Sequence, residues 1–184
     1  MSIVDKIAAT VISHESAEDR AEARRKAEEL CRGPDDWLTL WIEQNRKIEQ
    51  LLEAARSGRD AAARGGAIRD FVTLVTGKAL AEEMVLYPML ADDHKGHTEK
   101  AYQEHVLLKI EMHKLEMLDP MSKEWLEKLE LIQGAVLHHI FEEERAYAPE
   151  LRKVLGDDDG MHSRRYREEF NKYAVGSEAG DLAI

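Results

Sequence analysis

Apolar residues recur every three or four positions along most of the chain, which is the periodicity of amphipathic helices. No stretch shows the sustained apolar–polar alternation that is typical of a half-buried strand. Short polar, glycine- or proline-containing breaks divide the middle of the chain into four such segments. The pattern predicts helices over residues 35–56, 60–88, 97–118, and from 122 to 148 or as far as 155. Short connections place neighbouring helices antiparallel, so we expect an all-α, up-down-up-down four-helix bundle.

Two flanking regions lie outside this bundle. Residues 1–32 are interpreted as an extra N-terminal helical arm, with a helix cap at Ser16–Asp19. Residues 33–155 form the predicted bundle, and residues 156–184 a linker and a short C-terminal helical tail. Pro88 predicts that the second bundle helix ends or kinks there, because proline removes a helical hydrogen bond.

Each of the four predicted helices carries a polar residue in the middle of its apolar stripe. Burying an unpaired charge costs several kcal/mol, and an unsatisfied amide costs about 1–3 kcal/mol. These groups must therefore meet each other, a metal ion or water, and one shared polar centre explains them most simply. The residues concerned are Asn45, Lys78, Glu82, His105, His139 and Glu143.

The second and fourth helices share one spacing. A residue pair four apart is followed by a proline six positions later: Lys78 and Glu82 before Pro88, and His139 and Glu143 before Pro149. Residues four apart lie on the same helix face, so either pair could contribute to one centre. We interpret the repeat as a pseudo-twofold relation between the two helices.

Three segments resemble the hemerythrin-like cation-binding (HHE) family over about residues 35–155. They are Ala81-Glu-Glu-Met-Val-Leu-Tyr-Pro88, Gln103-Glu-His105, and His138-His-Ile-Phe-Glu-Glu-Glu144 followed by Pro149. The resemblance implies a non-haem di-iron centre inside the bundle. Its ligands would be a histidine from the first helix, a His-x-x-x-Glu pair from the second, a histidine from the third and a His-x-x-x-Glu pair from the fourth. Family members bind oxygen, nitric oxide or peroxide, or sense iron.

Position by position, the chain departs from this ligand set twice. It keeps Glu82, His105, His139 and Glu143, but Asn45 and Lys78 stand where the family has histidines. The two lost histidines serve the same iron in the family. The resemblance therefore implies a degenerate site that keeps one ion, with the Lys78 ammonium paired to both glutamates in the vacated position. Nitrogen and carboxylate donors suit iron, manganese or zinc. Two metal ions are less expected, and a site without metal stays open.

Composition limits the partners. The formal net charge is −11, which opposes binding to nucleic acid and to anionic membranes. The basic cluster Arg24-Arg25-Lys26 is flanked by acids and is interpreted as a solvated helix face. A single cysteine and the lack of a long apolar run favour a reducing cytoplasm.

Three kinds of function remain open from the sequence. The first is a binding module that holds one ion and acts in oxygen, nitric oxide, redox or iron sensing, or in storage. The second is a metal-free bundle with a structural or interaction role, which forms a homodimer or docks a protein partner. The third is a mononuclear non-haem metal enzyme acting on peroxide or oxygen, against which stands the lack of a substrate-binding motif.

Overall fold

A computed structural model describes residues 15–90, 95–156 and 160–174, and all regular structure within these ranges is helical. This confirms the all-α prediction, and none of the described helices combines the length and apolarity needed to cross a membrane. The helices are α1 (Ala17–Glu28), α2 (Trp37–Ser57), α3 (Ala61–Ala81, continued by Glu82–Leu86 and Tyr87–Leu90), α4 (Lys95–Glu116), α5 (Lys123–Glu142, continued by Glu143–Tyr147 and Ala148–Leu155) and α6 (Gly160–Ala174).

Helices α2 to α5 are the four helices predicted for the bundle, and several begin at side-chain caps. Asp60 and Ser122 each accept a hydrogen bond from a backbone N–H of the first turn. Ser16 and Asp19 form a reciprocal capping box at the start of α1, as predicted. Residues 3–14 of the predicted arm lie outside the described residues.

Helices α3 and α5 each contain a π-helical turn, at Glu82–Leu86 and at Glu143–Tyr147. Each turn begins at the glutamate of the repeated pair, so the pseudo-twofold spacing corresponds to one local structure built twice. The prediction that the helix could end at Pro88 is wrong, because α3 continues to Leu90.

The π turns explain how both helices pass a proline. The Tyr87 N–H donates to the Glu82 carbonyl, and the Ala148 N–H donates to the Glu143 carbonyl, five residues back in each case. Pro88 is the next residue after the first of these bonds. The wider turn relieves the clash between a proline ring and the carbonyl four residues earlier, and the missing N–H falls where the bonding pattern changes.

The C-terminal helix α6 packs against α3, including the π turn of α3 at Glu82–Leu86. Phe170 and Ala174 are buried, and the Tyr166 hydroxyl donates to Gln44 Oε1 at 2.6 Å. A Cβ atom added at Gly77 would lie 3.3 Å from the Phe170 ring, so the close approach of the two helices depends on this glycine. Helix α3 is thus covered by α2 on one side and by α6 on another. The domain boundaries at residues 32 and 155 stay predictions.

We expect Phe170→Ala to lower the free energy of unfolding by about 3–5 kcal/mol, because it removes a buried ring from between α6 and α3. Urea unfolding followed by circular dichroism measures the change. Tyr173→Ala is the matched control on the same helix, since Tyr173 is 39% exposed. Equal, small effects of both substitutions would mean that α6 contributes little to the folded unit.

Candidate metal centre

Lys78 lies between two buried carboxylates in the middle of the bundle. Its Nζ atom pairs with Glu82 Oε1 one helical turn away, and with Glu143 Oε1 of α5 at 2.6 Å. The lysine is 4% exposed, and both glutamates are fully buried. The ion pairs expected between Lys78 and the two glutamates are therefore present in the structure.

Trp41 of α2 completes the surroundings of this cation. Its indole N–H donates to the same Glu82 oxygen that pairs with Lys78. The centre of the Trp41 ring lies 5.1 Å from Lys78 Nζ, close enough for a cation–π interaction. An aromatic ring and two carboxylates thus hold the ammonium on three sides.

The electrostatics keep these groups charged. Burial alone would lower the pKa of the Lys78 ammonium, but the charges of Glu143 and Glu82 outweigh burial and raise that pKa above its ordinary value. Burial alone would raise the pKa of Glu82, but the Lys78 charge and a hydrogen bond from His105 hold it well below its ordinary value. The result is a buried salt bridge in which each charge depends on the other.

Two histidine side chains contact the same two carboxylates, and His139 shares Glu143 Oε1 with Lys78. His105 Nε2 lies 3.4 Å from Glu82 Oε2, and His139 Nε2 lies 3.1 Å from Glu143 Oε1. The two Nε2 atoms are 3.3 Å apart. One ligand atom from each of Glu82, His105 and His139 lies within 4.8 Å of the others. Glu143 stands outside that group of three, although it contacts both His139 and Lys78.

His139 carries extra positive charge in the absence of metal. Burial alone would lower the pKa of its imidazole, but the Glu143 charge and the hydrogen bond with Glu104 raise it to about 10. With this pKa, His139 is a second cation besides Lys78 in the buried cluster.

The outer nitrogen of each histidine contacts a further acid that the sequence analysis did not single out. His105 Nδ1 is 2.8 Å from Glu83 Oε1, and His139 Nδ1 is 2.8 Å from Glu104 Oε2. Glu83 follows Glu82 in the chain, and Glu104 precedes His105. In the sequence, only their position next to a candidate ligand indicates a role for Glu83 and Glu104.

Asn45 belongs to a second polar cluster, around Glu144. Its amide Nδ2 donates to Glu144 Oε1 at 3.1 Å, as expected for an amide that hydrogen-bonds. Arg24 of α1 pairs with the same carboxylate at 2.9 Å and with Glu49 at 2.8 Å. The interpretation of the Arg24 cluster as a solvated face is thus wrong for Arg24, whose side chain is 18% exposed. A guanidinium turns inward here because Glu144 is a buried carboxylate that needs a cation.

The donor set of Glu82, His105 and His139 fits a metal ion. Two imidazoles and carboxylate oxygens match the preferences of Fe(II), Mn(II) or Zn(II). The Lys78 ammonium lies between Glu82 and Glu143, and the Asn45 amide is engaged with Glu144. A cavity of about 50 Å³ adjoins the two histidines between α4 and α5, lined mainly by leucine, isoleucine, valine and alanine side chains.

The known proteins that this chain is similar to are hemerythrin-like. A family model described as the hemerythrin HHE cation-binding domain matches residues 37–151. A hemerythrin-like protein of the fission yeast Schizosaccharomyces pombe, itself uncharacterized, is 24% identical over 136 residues, which cover 72% of this chain and 67% of the yeast protein. No solved structure is significantly similar to the chain. The match to the family model spans the whole candidate centre, and the chain therefore belongs to the hemerythrin HHE cation-binding family.

Proposed function

We propose that this protein binds one metal ion through Glu82, His105, His139 and Glu143, with Lys78 taking the place of the second ion of a di-iron centre. The observation that carries the proposal is the position of Lys78 Nζ between Glu82 and Glu143. The same two carboxylates also contact the histidine Nε2 atoms, Glu82 that of His105 and Glu143 that of His139. One positive side chain and one ion would thus share the carboxylates that two ions share in the family.

The surroundings favour a small uncharged ligand at this centre. The cavity beside His105 and His139 has a volume of about 50 Å³ and largely apolar walls, which suits a diatomic molecule better than an organic substrate. We propose that the bound ion, iron in the first place, serves oxygen, nitric oxide or redox sensing. Storage fits less well, because the donors around Lys78 accommodate a single ion.

The charge balance also supports a second candidate, a metal-free bundle with a structural or interaction role. Lys78 and protonated His139 already offset Glu82 and Glu143, so the fold does not need an ion to neutralise its buried acids. In this case the centre would be a polar core that holds α3 and α5 together.

Metal content per chain separates the two candidates. The protein is expressed with added iron, purified without chelator or nickel, and analysed for all transition metals. We expect about one ion per chain in the wild type and a large loss in His105→Ala. His113→Ala is the matched control, because His113 is exposed on the same helix and should leave the content unchanged.

Each outcome of this experiment has a distinct meaning. A metal-free wild type that folds normally would support the structural candidate. Two ions per chain would mean that other ligands bypass Asn45 and Lys78. Equal metal content in the wild type and in His105→Ala would remove His105 from the proposed ligand set.

A further inference from the structure

The two histidines of the candidate centre are each held from behind by a carboxylate on the neighbouring helix. Glu83 of α3 contacts His105 Nδ1, and Glu104 of α4 contacts His139 Nδ1, both at 2.8 Å. The structure assigns Glu83 and Glu104 as positioning residues. They orient both imidazoles toward one ion and favour the more highly charged state of that ion. This inference rests on the proposed function, because it concerns the ion that His105 and His139 would bind.

The order of these contacts around the bundle follows from the chain itself. Glu82 faces the centre from α3, and its neighbour Glu83 reaches His105 on α4. The residue before His105, Glu104, reaches His139 on α5. Helices α3 and α4 thus each contribute one group to the centre and one adjacent group that orients a histidine on the next helix. A change of register between two helices would disturb a ligand and its support together.

Glu83 is itself held in place by two other residues of α4. Lys109 Nζ lies 3.7 Å from Glu83 Oε1, and the Tyr102 hydroxyl donates to the Glu83 backbone carbonyl at 3.1 Å. The carboxylate is 22% exposed, so it is shielded but not fully desolvated. These contacts tie the π turn of α3 to α4 at the level of His105.

Glu104 is placed in the same way beside His139. Its side chain is 18% exposed, and Lys100 Nζ lies 3.5 Å from its Oε1 atom, whereas Oε2 contacts the histidine. Both orienting carboxylates are therefore partly shielded from water and have a lysine nearby. Both carboxylates contact Nδ1 atoms, and the two Nε2 atoms face each other at the centre.

Two physical effects follow from this geometry. An imidazole that donates its Nδ1 proton to a carboxylate keeps Nε2 free for a metal ion and restricts rotation of the ring. The negative charge also makes the imidazole a stronger donor, which favours the more highly charged state of a redox-active ion. Orientation depends on a hydrogen-bond acceptor, whereas the second effect depends on charge.

Alanine and glutamine substitutions separate the two effects. Glu83→Ala and Glu104→Ala remove the acceptor, and we expect each to weaken zinc binding by about 10–100-fold, measured by competition with a chromophoric chelator. Glu83→Gln and Glu104→Gln keep an amide oxygen as acceptor and should lose much less affinity. The glutamine variants should instead raise the reduction potential of bound iron, which a purely structural role would not do.

Glu116→Gln is the control. Glu116 is an exposed acid near the end of α4. We expect it to change neither zinc affinity nor the iron potential. Zinc affinities of both alanine variants equal to that of the wild type would overturn the inference.

A measurement on the metal-free protein distinguishes failure of this inference from failure of the proposed function. Nitrogen-15 NMR of the imidazoles should show an exchange-protected Nδ1 proton on His105 that disappears in Glu83→Ala and persists in Glu116→Gln. If the wild type binds no zinc but shows this pattern, the metal proposal fails and the orienting contact stands. If the Nδ1 proton is unprotected in the wild type, the orienting role is wrong whatever the protein binds.

Discussion

Replacing Lys78 by methionine is expected to destabilise the metal-free protein by about 3–5 kcal/mol, because the substitution leaves two buried carboxylates without their shared cation. Glu82 and Glu143 are both fully buried, so water cannot replace the ammonium without opening the bundle. Methionine has a similar length to lysine, and the loss therefore reports charge more than volume. Urea unfolding in the presence of a chelator measures the change in free energy.

Lys123→Met provides the comparison for this experiment. Lys123 also pairs with a glutamate four residues away, Glu127, but its side chain is 85% exposed. We expect an effect below about 1 kcal/mol, as for other solvent-exposed ion pairs. If Lys78→Met were as mild as Lys123→Met, the carboxylates at the centre would have to be neutral or otherwise compensated. Added zinc should restore part of the stability of Lys78→Met, since binding to the folded state alone stabilises it.

The second large effect concerns metal stoichiometry. The double substitution Asn45→His with Lys78→His should raise the metal content from about one to about two ions per chain. Lys78→His gives α3 the same His-x-x-x-Glu pair that α5 has in His139 and Glu143. It also removes the ammonium that fills the second position, and Asn45→His supplies a further imidazole from α2. Elemental analysis and the visible spectrum of the iron-loaded protein measure the gain.

Lys78→Met is also the control for stoichiometry, because it empties the position without adding a ligand. It should keep about one ion, and the single variant Lys78→His should bind the second ion more weakly than the double variant. A double variant that folds and still holds one ion would show that the second position is not the one next to Lys78.

Much of the fold and the centre of the site could be predicted from periodicity. The 3.6-residue repeat of apolar positions was sufficient for the all-α fold, which the structure confirms. Polar residues on apolar stripes stand out, because each needs a buried partner. The pairing of Lys78 with both glutamates could be predicted only once the resemblance to the hemerythrin-like family had identified Glu82 and Glu143 as ligands of one centre. The roles of the four candidate ligands stay predictions until metal is measured.

Other features gave no clear signal in the sequence. A π turn uses the same residue types as an α-helix, so only the proline six positions after each glutamate marks Glu82 and Glu143 as its start. Arg24 is one charge among many in α1, and only the buried Glu144 opposite explains its inward orientation. The contacts of α6 depend on Gly77, and a glycine within a helix does not identify the aromatic ring that will pack on it.

The accessory helices α1 and α6 have a consequence for the rate at which ions exchange. Helix α1 packs against the π turn that begins at Glu143, and α6 packs against the one that begins at Glu82, so on these two sides the carboxylates of the centre are shielded from bulk water. Exchange through either side must wait for local opening. Helix α1 buries only Ala23 and Ala27 besides its partly exposed Arg24, whereas α6 buries two aromatic rings. Departure of α1 is therefore the less costly of these two openings, and we expect it to contribute more than α6 to the exchange of any ion that the bundle core binds.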